Sequence, residues 1–413
     1  MRLLRALVAG LFLLVAVVTA QAAPAAGPGW TAVWATSPQK PSKTMGPSWS
    51  TEGFTNHTLR QVIRVSQGGA ATRVRLTNRY GAEPLAIAGA TIAVTESGAN
   101  IRPDTLRPLT FGAASEFRIP AGADLTTDPV LLPVAPFQSL TITLHLAAPT
   151  GPATHHAQAL ATSYRATGDH RADAAGVAFT ETTQSWYYLS GVEVFDLLPR
   201  RSGVIAFGDS ITEGIGSTSG TDNRYPDELA ERLAAQGNPR AVIDQGIGGN
   251  RVTVDSSWLG DSAQRRFRTD VLDQPGAGTV IILAGINDIG LSAAGAGAAD
   301  TVVPVSTEQL IAGHLDLIRQ ARTKGLRVIG ATLTPIHGSP YYSPAAEATR
   351  QAFNEWIRTA GAYDAVVDFD AALRDPADPQ RFAPHFDSGD HIHPSDAGYT
   401  AMAAAVNPAD FGS

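Results

Sequence analysis

Residues 204–210, Val-Ile-Ala-Phe-Gly-Asp-Ser, set a hydroxyl just beyond a short apolar run. Four apolar residues read as a buried strand, Gly208 permits a sharp turn, and Ser210 is left at the strand's carboxyl end. In open α/β sheets that edge is where ligands bind. A serine there, opening a helix, has backbone N–H groups beside it that can stabilise a developing oxyanion. The chemistry this offers is nucleophilic attack on a carbonyl. The plainer alternative is that Asp209 or Ser210 only caps the helix.

Near the C-terminus stands Asp390-His391-Ile392-His393-Pro394. A carboxylate three residues before a histidine can reach back to its Nδ1 and fix the tautomer. Nε2 is then free to take a proton from a serine. Pro394 stiffens the loop, and 395–397 look like the next helix start. A surface loop is the plain alternative. A metal cluster is another, because His385, Asp387, Asp390, His391 and His393 lie within nine positions, although without a helical or strand ligand spacing.

Two further segments lie after apolar runs. Gly285-Ile286-Asn287-Asp288 follows 279–283 and brings Asn287 to the same sheet edge as Ser210. A carboxamide can aim N–H at an oxyanion without competing for the histidine's proton; an Asn/Asp turn is the alternative. Asp244-Gln245-Gly246-Ile247-Gly248-Gly249-Asn250 follows 241–243 and brings a glycine-rich backbone to that edge. Gly249 can offer its N–H, and Gly246 or Gly248 are the other candidates.

Taken in order, Gly208-Asp209-Ser210-Ile211-Thr212-Glu213-Gly214, the Gly249 turn, Gly285-x-Asn287-Asp288 and Asp390-x-x-His393 resemble the four sequence blocks of the SGNH (GDSL-type) hydrolases. The resemblance covers about 204–405 and implies a flavodoxin-like three-layer α/β/α fold and ester hydrolysis. It implies Ser210 as nucleophile and first oxyanion donor, with Gly249 and Asn287 as the other two. His393 would be the general base and later acid, Asp390 its orienting partner, and Asp209 a support of the turn. The acyl group would pass through Ser210 to water with no metal or organic cofactor. The G-x-S-x-G elbow of the α/β-hydrolases occurs nowhere in the chain. Many members have Ser-Gly-Asp where this chain has Gly248-Gly249-Asn250.

The elements that must position these residues are legible from periodicity. Short continuous apolar runs at 204–207, 241–243, 279–283, 326–329 and 365–368 read as parallel strands buried on both faces. Segments 226–236, 306–324 and 344–359 read as helices. In the second of these, Leu310, Ile311, His314, Leu315 and Ile318 form one stripe. From Trp30 to Leu198 the texture differs. Segments 59–65, 72–77 and 141–146 alternate with a period of two, and glycine-rich turns separate them. An all-β sandwich or jelly roll is expected there. The division is a signal peptide at 1–22, a flexible leader at 23–29, a β-domain at 30–198 and the hydrolase domain at 199–413.

Arg60, Arg64, Arg73 and Arg75 alternate with apolar residues and read mostly as a solvated sheet face. Trp34, Trp49 and Trp186-Tyr187-Tyr188 could stack on sugar rings, but filling the core or a domain interface is expected instead. Trp258 and Tyr341-Tyr342, in loops after strands, are candidates for an acyl or leaving-group subsite. Residues 290–300 form a small-residue loop that opens and closes or is an inert insertion.

Arg2 and Arg5, the apolar core 11–18 and Ala20-Gln21-Ala22 read as a secretory signal cleaved near Ala22. Its removal takes the 31 basic residues to 29 against 38 acidic ones, a net charge of −9. That balance disfavours nucleic acid and anionic membranes as partners, and no later stretch has the length of a membrane span. The absence of cysteine excludes disulfides, thiolate nucleophiles and Cys-ligated zinc. The expectation is a secreted, monomeric serine esterase without stable membrane insertion. Several bacterial carbohydrate esterases share this pairing of a β-region with an SGNH domain. The expected partners are small-molecule or polysaccharide esters, with acetyl or feruloyl acyl groups. The rivals are a lipase or phospholipase of the same family, and a carbohydrate-binding protein with an inactive hydrolase domain.

Overall fold

The computed structural model describes residues 29–195, 202–293 and 303–411. The expected signal peptide, nearly all of the leader, most of the boundary 199–203 and the small-residue loop beyond 293 lie outside the described residues. None of the described helices is long and apolar enough to cross a membrane.

Before residue 196 the described chain is built from strands, with one short 3₁₀ turn at Pro103–Thr105. One sheet orders Trp30–Ala35, Leu189–Phe195, Ala71–Thr77 and Asp124–Thr126. A second is centred on His57–Arg64, Ser139–Leu146 and Gly89–Ser97, paired antiparallel. Val74, Leu76, Ile92, Leu140, Ile142 and Val192 from the two sheets fill one core. The alternation in 72–77 is real: Thr72, Val74 and Leu76 are buried, while Arg73 and Arg75 are half-buried.

The arginine face is not solvated. Arg60 is fully buried and donates to the carbonyls of Ala99, His170 and Asp173, with its guanidinium 4.2 Å from the Phe179 ring. Arg64 pairs with Glu231 at 2.7 Å, Arg73 with Glu193 at 2.6 Å, and Arg75 donates to Gln274 at 2.5 Å. A period of two tells which side chains share a face, not what covers that face. Here loops cover Arg60 and the C-terminal region meets Arg64 and Arg75. The aromatic residues take the plainer role. Trp34, Trp186, Tyr187 and Tyr188 are buried, and Trp34 meets Trp186 edge-on at 4.8 Å. Trp49 stacks on Tyr187 at 5.6 Å.

After residue 202, strands and helices alternate. Five strands, β1 (Gly203–Gly208), β2 (Val242–Gly246), β3 (Ala277–Leu283), β4 (Arg327–Ala331) and β5 (Ala365–Val367), form a parallel sheet in the order β2-β1-β3-β4-β5. The helices are α1 (Ser210–Glu213), α2 (Tyr225–Ala235), α3 (Ala263–Phe267), α4 (Ile286–Ala293), α5 (Thr307–Thr323), α6 (Pro344–Thr359), α7 (Phe369–Leu373) and α8 (Asp396–Ala405). α2, α7 and α8 pack together, and α3, α4, α5 and α6 form a second connected set. β1 and residues 279–283 of β3 are continuous apolar runs because both faces are covered, whereas β2 carries Asp244 and Gln245 and the outer β5 leaves Val366 exposed. In α5 the buried stripe is Leu310, His314, Leu317, Ile318 and Ala321, whereas Leu315 is exposed. Five residues beyond Leu310 lies about 140° round the helix, off the stripe.

The two regions pack on each other through polar contacts. Ser66 Oγ accepts from Val242 N–H, Ala32 N–H donates to Pro275 O, and Tyr80 OH and Lys40 both reach Asp261. The chain thus combines a strand-built N-terminal region with a parallel α/β region whose strand order reverses at β1. A crevice at the carboxyl ends of the strands is the expected ligand position in such a sheet.

Candidate active site

Ser210 opens α1 directly beyond β1. Gly208 is the only residue type that fits the turn: a Cβ there would lie 2.2 Å from Thr212 Oγ1 and 2.3 Å from Leu283 O. Asp209 caps α1, its side chain accepting from Ile211 N–H at 3.1 Å. Capping is therefore the role of Asp209, while the Ser210 hydroxyl points elsewhere. It lies 2.8 Å from His393 Nε2.

His393 Nδ1 lies 2.6 Å from Asp390 Oδ2. A carboxylate only accepts, so Nδ1 carries the hydrogen and Nε2 accepts from Ser210. Asp390 is fixed in turn by the N–H groups of Ile392 and His393, which both donate to its Oδ1. Partial burial would raise the Asp390 pKa, but the hydrogen bond and charge of His393 and these two N–H groups hold it well below the usual carboxylate range. The side chain that orients His393 is thus kept ionised. The neighbouring His391 is turned to a different carboxylate, Asp387 Oδ2, at 2.6 Å. Among the described residues, no group of three or more His, Asp or Glu side chains is disposed to hold a metal ion.

The β2 and β3 ends supply the other sequence-predicted residues. Gly246 N–H is engaged by Asp244 Oδ1 at 2.8 Å, which removes it as a free donor. Gly249 has φ +74°, and a Cβ there would stand 2.3 Å from the Leu259 side chain. Asn287, the second residue of α4, is buried. Its Nδ2 donates to Asn250 O at 3.1 Å, and its Oδ1 accepts from Tyr341 OH at 2.8 Å. Tyr341 thereby fixes which end of the amide faces which way and leaves one N–H of Asn287 for another acceptor. Sequence reasoning placed Tyr341 only as a subsite candidate. Tyr342 instead stacks on His337 at 4.3 Å and donates to Gln380. The backbone carbonyl of Trp258 accepts from Gln39 of the N-terminal region.

Buried carboxylates ring this edge. Burial pushes Asp209 and Asp244 up to about 7 and Asp288 up to about 6. Asp288 accepts from Val252 N–H and stands 3.6 Å from Arg251. A buried residue that sequence reasoning missed altogether is Arg266 of α3, which donates to Gly208 O at 2.6 Å and to Asn250 Oδ1 at 2.9 Å. No motif announces it, because its partners are two main-chain carbonyls, an amide, a hydroxyl and a carboxylate spread from Ser37 to Asp270.

Residues 206–401 match the model of the GDSL-like lipase/acylhydrolase family. No curated protein matches the chain. Among solved structures, a lipolytic protein of the G-D-S-L family from Desulfitobacterium hafniense DCB-2 is 23% identical, with a TM-score of 0.38 over 49% of this chain and 97% of its own. The acetyl xylan esterase Axe2 of Geobacillus stearothermophilus is 22% identical, with a TM-score of 0.39 over 50% of this chain and 94% of its own. An acylhydrolase of Bacteroides fragilis is 20% identical, with a TM-score of 0.37 over 51% and 86%. At that likeness these structures say nothing of substrate. Residues 206–401 belong to the GDSL-like lipase/acylhydrolase family, and the chain is a carboxylic ester hydrolase.

Proposed function

We propose that Ser210, His393 and Asp390 form the catalytic triad of a secreted esterase. The observation that carries this is the unbroken chain from Ser210 Oγ to His393 Nε2 (2.8 Å) and from His393 Nδ1 to Asp390 (2.6 Å). His393 takes the Ser210 proton as Oγ attacks the ester carbonyl. The N–H groups of Ser210 and Gly249 and the remaining N–H of Asn287 receive the oxyanion. His393 then protonates the leaving alcohol. Water, deprotonated by His393, attacks the acyl-enzyme and releases the acid. Asp209 supports the turn and does not react.

The finer fold reading is a flavodoxin-like three-layer hydrolase domain at 199–413 behind a β-sandwich or jelly-roll domain at 30–198. The strand order β2-β1-β3-β4-β5 and the two connected sets of helices support the first. A core shared by two antiparallel sheets supports the second. The leader sequence supports secretion. The substrates proposed are acetyl or feruloyl esters of plant polysaccharide, or small esters, acted on by a monomer. The pairing of a β-rich region with an ester-hydrolase domain supports that choice.

The test is a parallel panel with wild type and Ser210→Ala. It covers p-nitrophenyl acetate, butyrate and palmitate, methyl ferulate, acetylated xylan and a phospholipid. Acetate or ferulate release that is lost in the mutant supports the reading. A preference for palmitate or phospholipid keeps the triad and moves the substrate to lipids. Undiminished activity in Ser210→Ala removes the triad.

A further inference from the structure

Arg266 is almost completely buried yet touches no solvent-facing partner. Its guanidinium lies 4.1 Å from the Phe207 ring centroid and spends its donors on the edge described above. Nη2 donates to Gly208 O, two residues before Ser210. Nε donates to the side chain of Asn250, the residue after Gly249. Asn250 O in turn accepts from Asn287 Nδ2. One side chain is thus bonded to both loops that carry candidate oxyanion N–H groups, and through Asn250 to the third donor.

Arg266 is itself held from the N-terminal region. Nη1 donates to Ser37 Oγ at 3.0 Å, to Gln245 O at 2.8 Å and to Asp270 at 3.1 Å. Ser37 Oγ donates to Gln245 Oε1 at 2.6 Å. The other oxygen of Asp270 accepts from Arg79 at 3.3 Å, and Arg79 is anchored by Asp124 at 2.7 Å. Ser37, Arg79 and Asp124 all precede residue 196. A planar guanidinium with five donors suits this task, and a lysine ammonium does not reproduce its fork.

We propose that Arg266 is a positioning residue that sets the spacing of the oxyanion donors. The N-terminal region contributes to catalysis by clamping Arg266 through Ser37 and the Arg79–Asp270 pair. The proposal rests on the Ser210 reading given above. Its consequence is that part of the N-terminal region acts on the transition state without touching substrate. Misplacing donors by a fraction of an ångström leaves ground-state binding almost intact and slows turnover.

The test uses the full chain with p-nitrophenyl acetate as substrate and phenylboronic acid as tetrahedral-adduct probe. Arg266→Lys is expected to lower kcat by up to about 10²-fold with KM little changed. Ser37→Ala, a one-oxygen deletion that keeps the fold, is expected to lower kcat less, by about 3- to 10-fold. In both, affinity for the boronate falls by the same factor as kcat. Arg64→Ala removes an ion pair of the same interface outside this network and is expected to leave kcat unchanged. Wild-type kcat and boronate affinity in Ser37→Ala and in folded Arg266→Lys, with only the melting temperature lowered, overturns the proposal. So does an equal fall in kcat with Arg64→Ala. Ser210→Ala reports separately. If it retains hydrolysis, the nucleophile assignment fails whatever the Arg266 variants do.

Discussion

In both regions burial disfavours the charged form of an ionisable group, but the groups and their neighbours differ. In the N-terminal region, Arg60 is enclosed by three backbone carbonyls and an aromatic face, and burial lowers its pKa to about 10. Its place is closed: it ties the 99 and 170–173 loops to a central strand. At the β1, β2 and β3 ends of the C-terminal region, buried carboxylates are pushed upward instead, and Asp209 Oδ2 has no hydrogen-bond partner among the described residues. Arg60 Nε also lacks a partner among the described residues, so the difference lies in what each group touches: Arg60 braces two loops against a strand, whereas Asp209 stands beside the candidate nucleophile. The contrast separates a buried cation that braces loops from carboxylates set around the candidate triad.

Substitutions can break that contrast. The largest effect is expected from Ser210→Ala, a loss of about 10⁴-fold or more in ester hydrolysis with an unchanged melting temperature. Asn287→Ala should follow, losing about 10²–10³-fold in kcat. Retention of more than a tenth of the wild-type kcat would remove Asn287 from the oxyanion reading. Tyr341→Phe deletes the hydroxyl that orients Asn287 and is expected to lower kcat by about 5- to 10-fold, the worth of about one hydrogen bond. Ile142→Ala, in the buried centre of the N-terminal sheet, should do the reverse. Chemical denaturation is expected to show a destabilisation of about 2–5 kcal/mol, with kcat of the folded enzyme unaltered. A rate loss there as large as that of Tyr341→Phe would erase the distinction between the regions.

The smallest effect is in the pH response of stability. Asp209, Asp244 and Asp288 keep protons in the folded state up to about 7, 7 and 6, whereas an unfolded aspartate loses its proton near about 3.9. Between these values the folded state binds more protons, so these groups stabilise it at lower pH and that contribution is lost as pH rises towards 7. Melting temperatures measured from about pH 5 to 7 should therefore fall as pH rises. A melting temperature that climbs steadily with pH over that interval contradicts the ionisation pattern of the edge.

Much of the C-terminal region was legible because its central strands are continuous apolar runs and the candidate site residues sit next to glycines at strand ends. The segments 204–207, 279–283 and 344–359 fall on β1, β3 and α6 with shifts of at most two residues. The expected chain Ser210, His393, Asp390 is also what the hydrogen bonds connect. What escaped depends on tertiary cover. The pattern of Arg60, Arg64, Arg73 and Arg75 gave their common facing but not the loops and helices laid over it. Leu315 looked like core because apolarity was weighed above helical angle. Tyr341 and Arg266 act through hydrogen bonds to residues 54 and 58 positions away, and no local pattern encodes such a reach.

Strand β2 ends the parallel sheet on one side, and its outer edge is met by the N-terminal region: the Val242 backbone N–H by Ser66 Oγ, and the Gln245 side chain by Ser37. A sheet margin with unpaired amides invites another chain to add to it. Ser66 and its neighbours act as a shield against that recruitment. An α/β region freed from residues 29–195 would therefore present a sticky margin and tend to self-associate, so colloidal behaviour as well as rate depends on the two regions staying together.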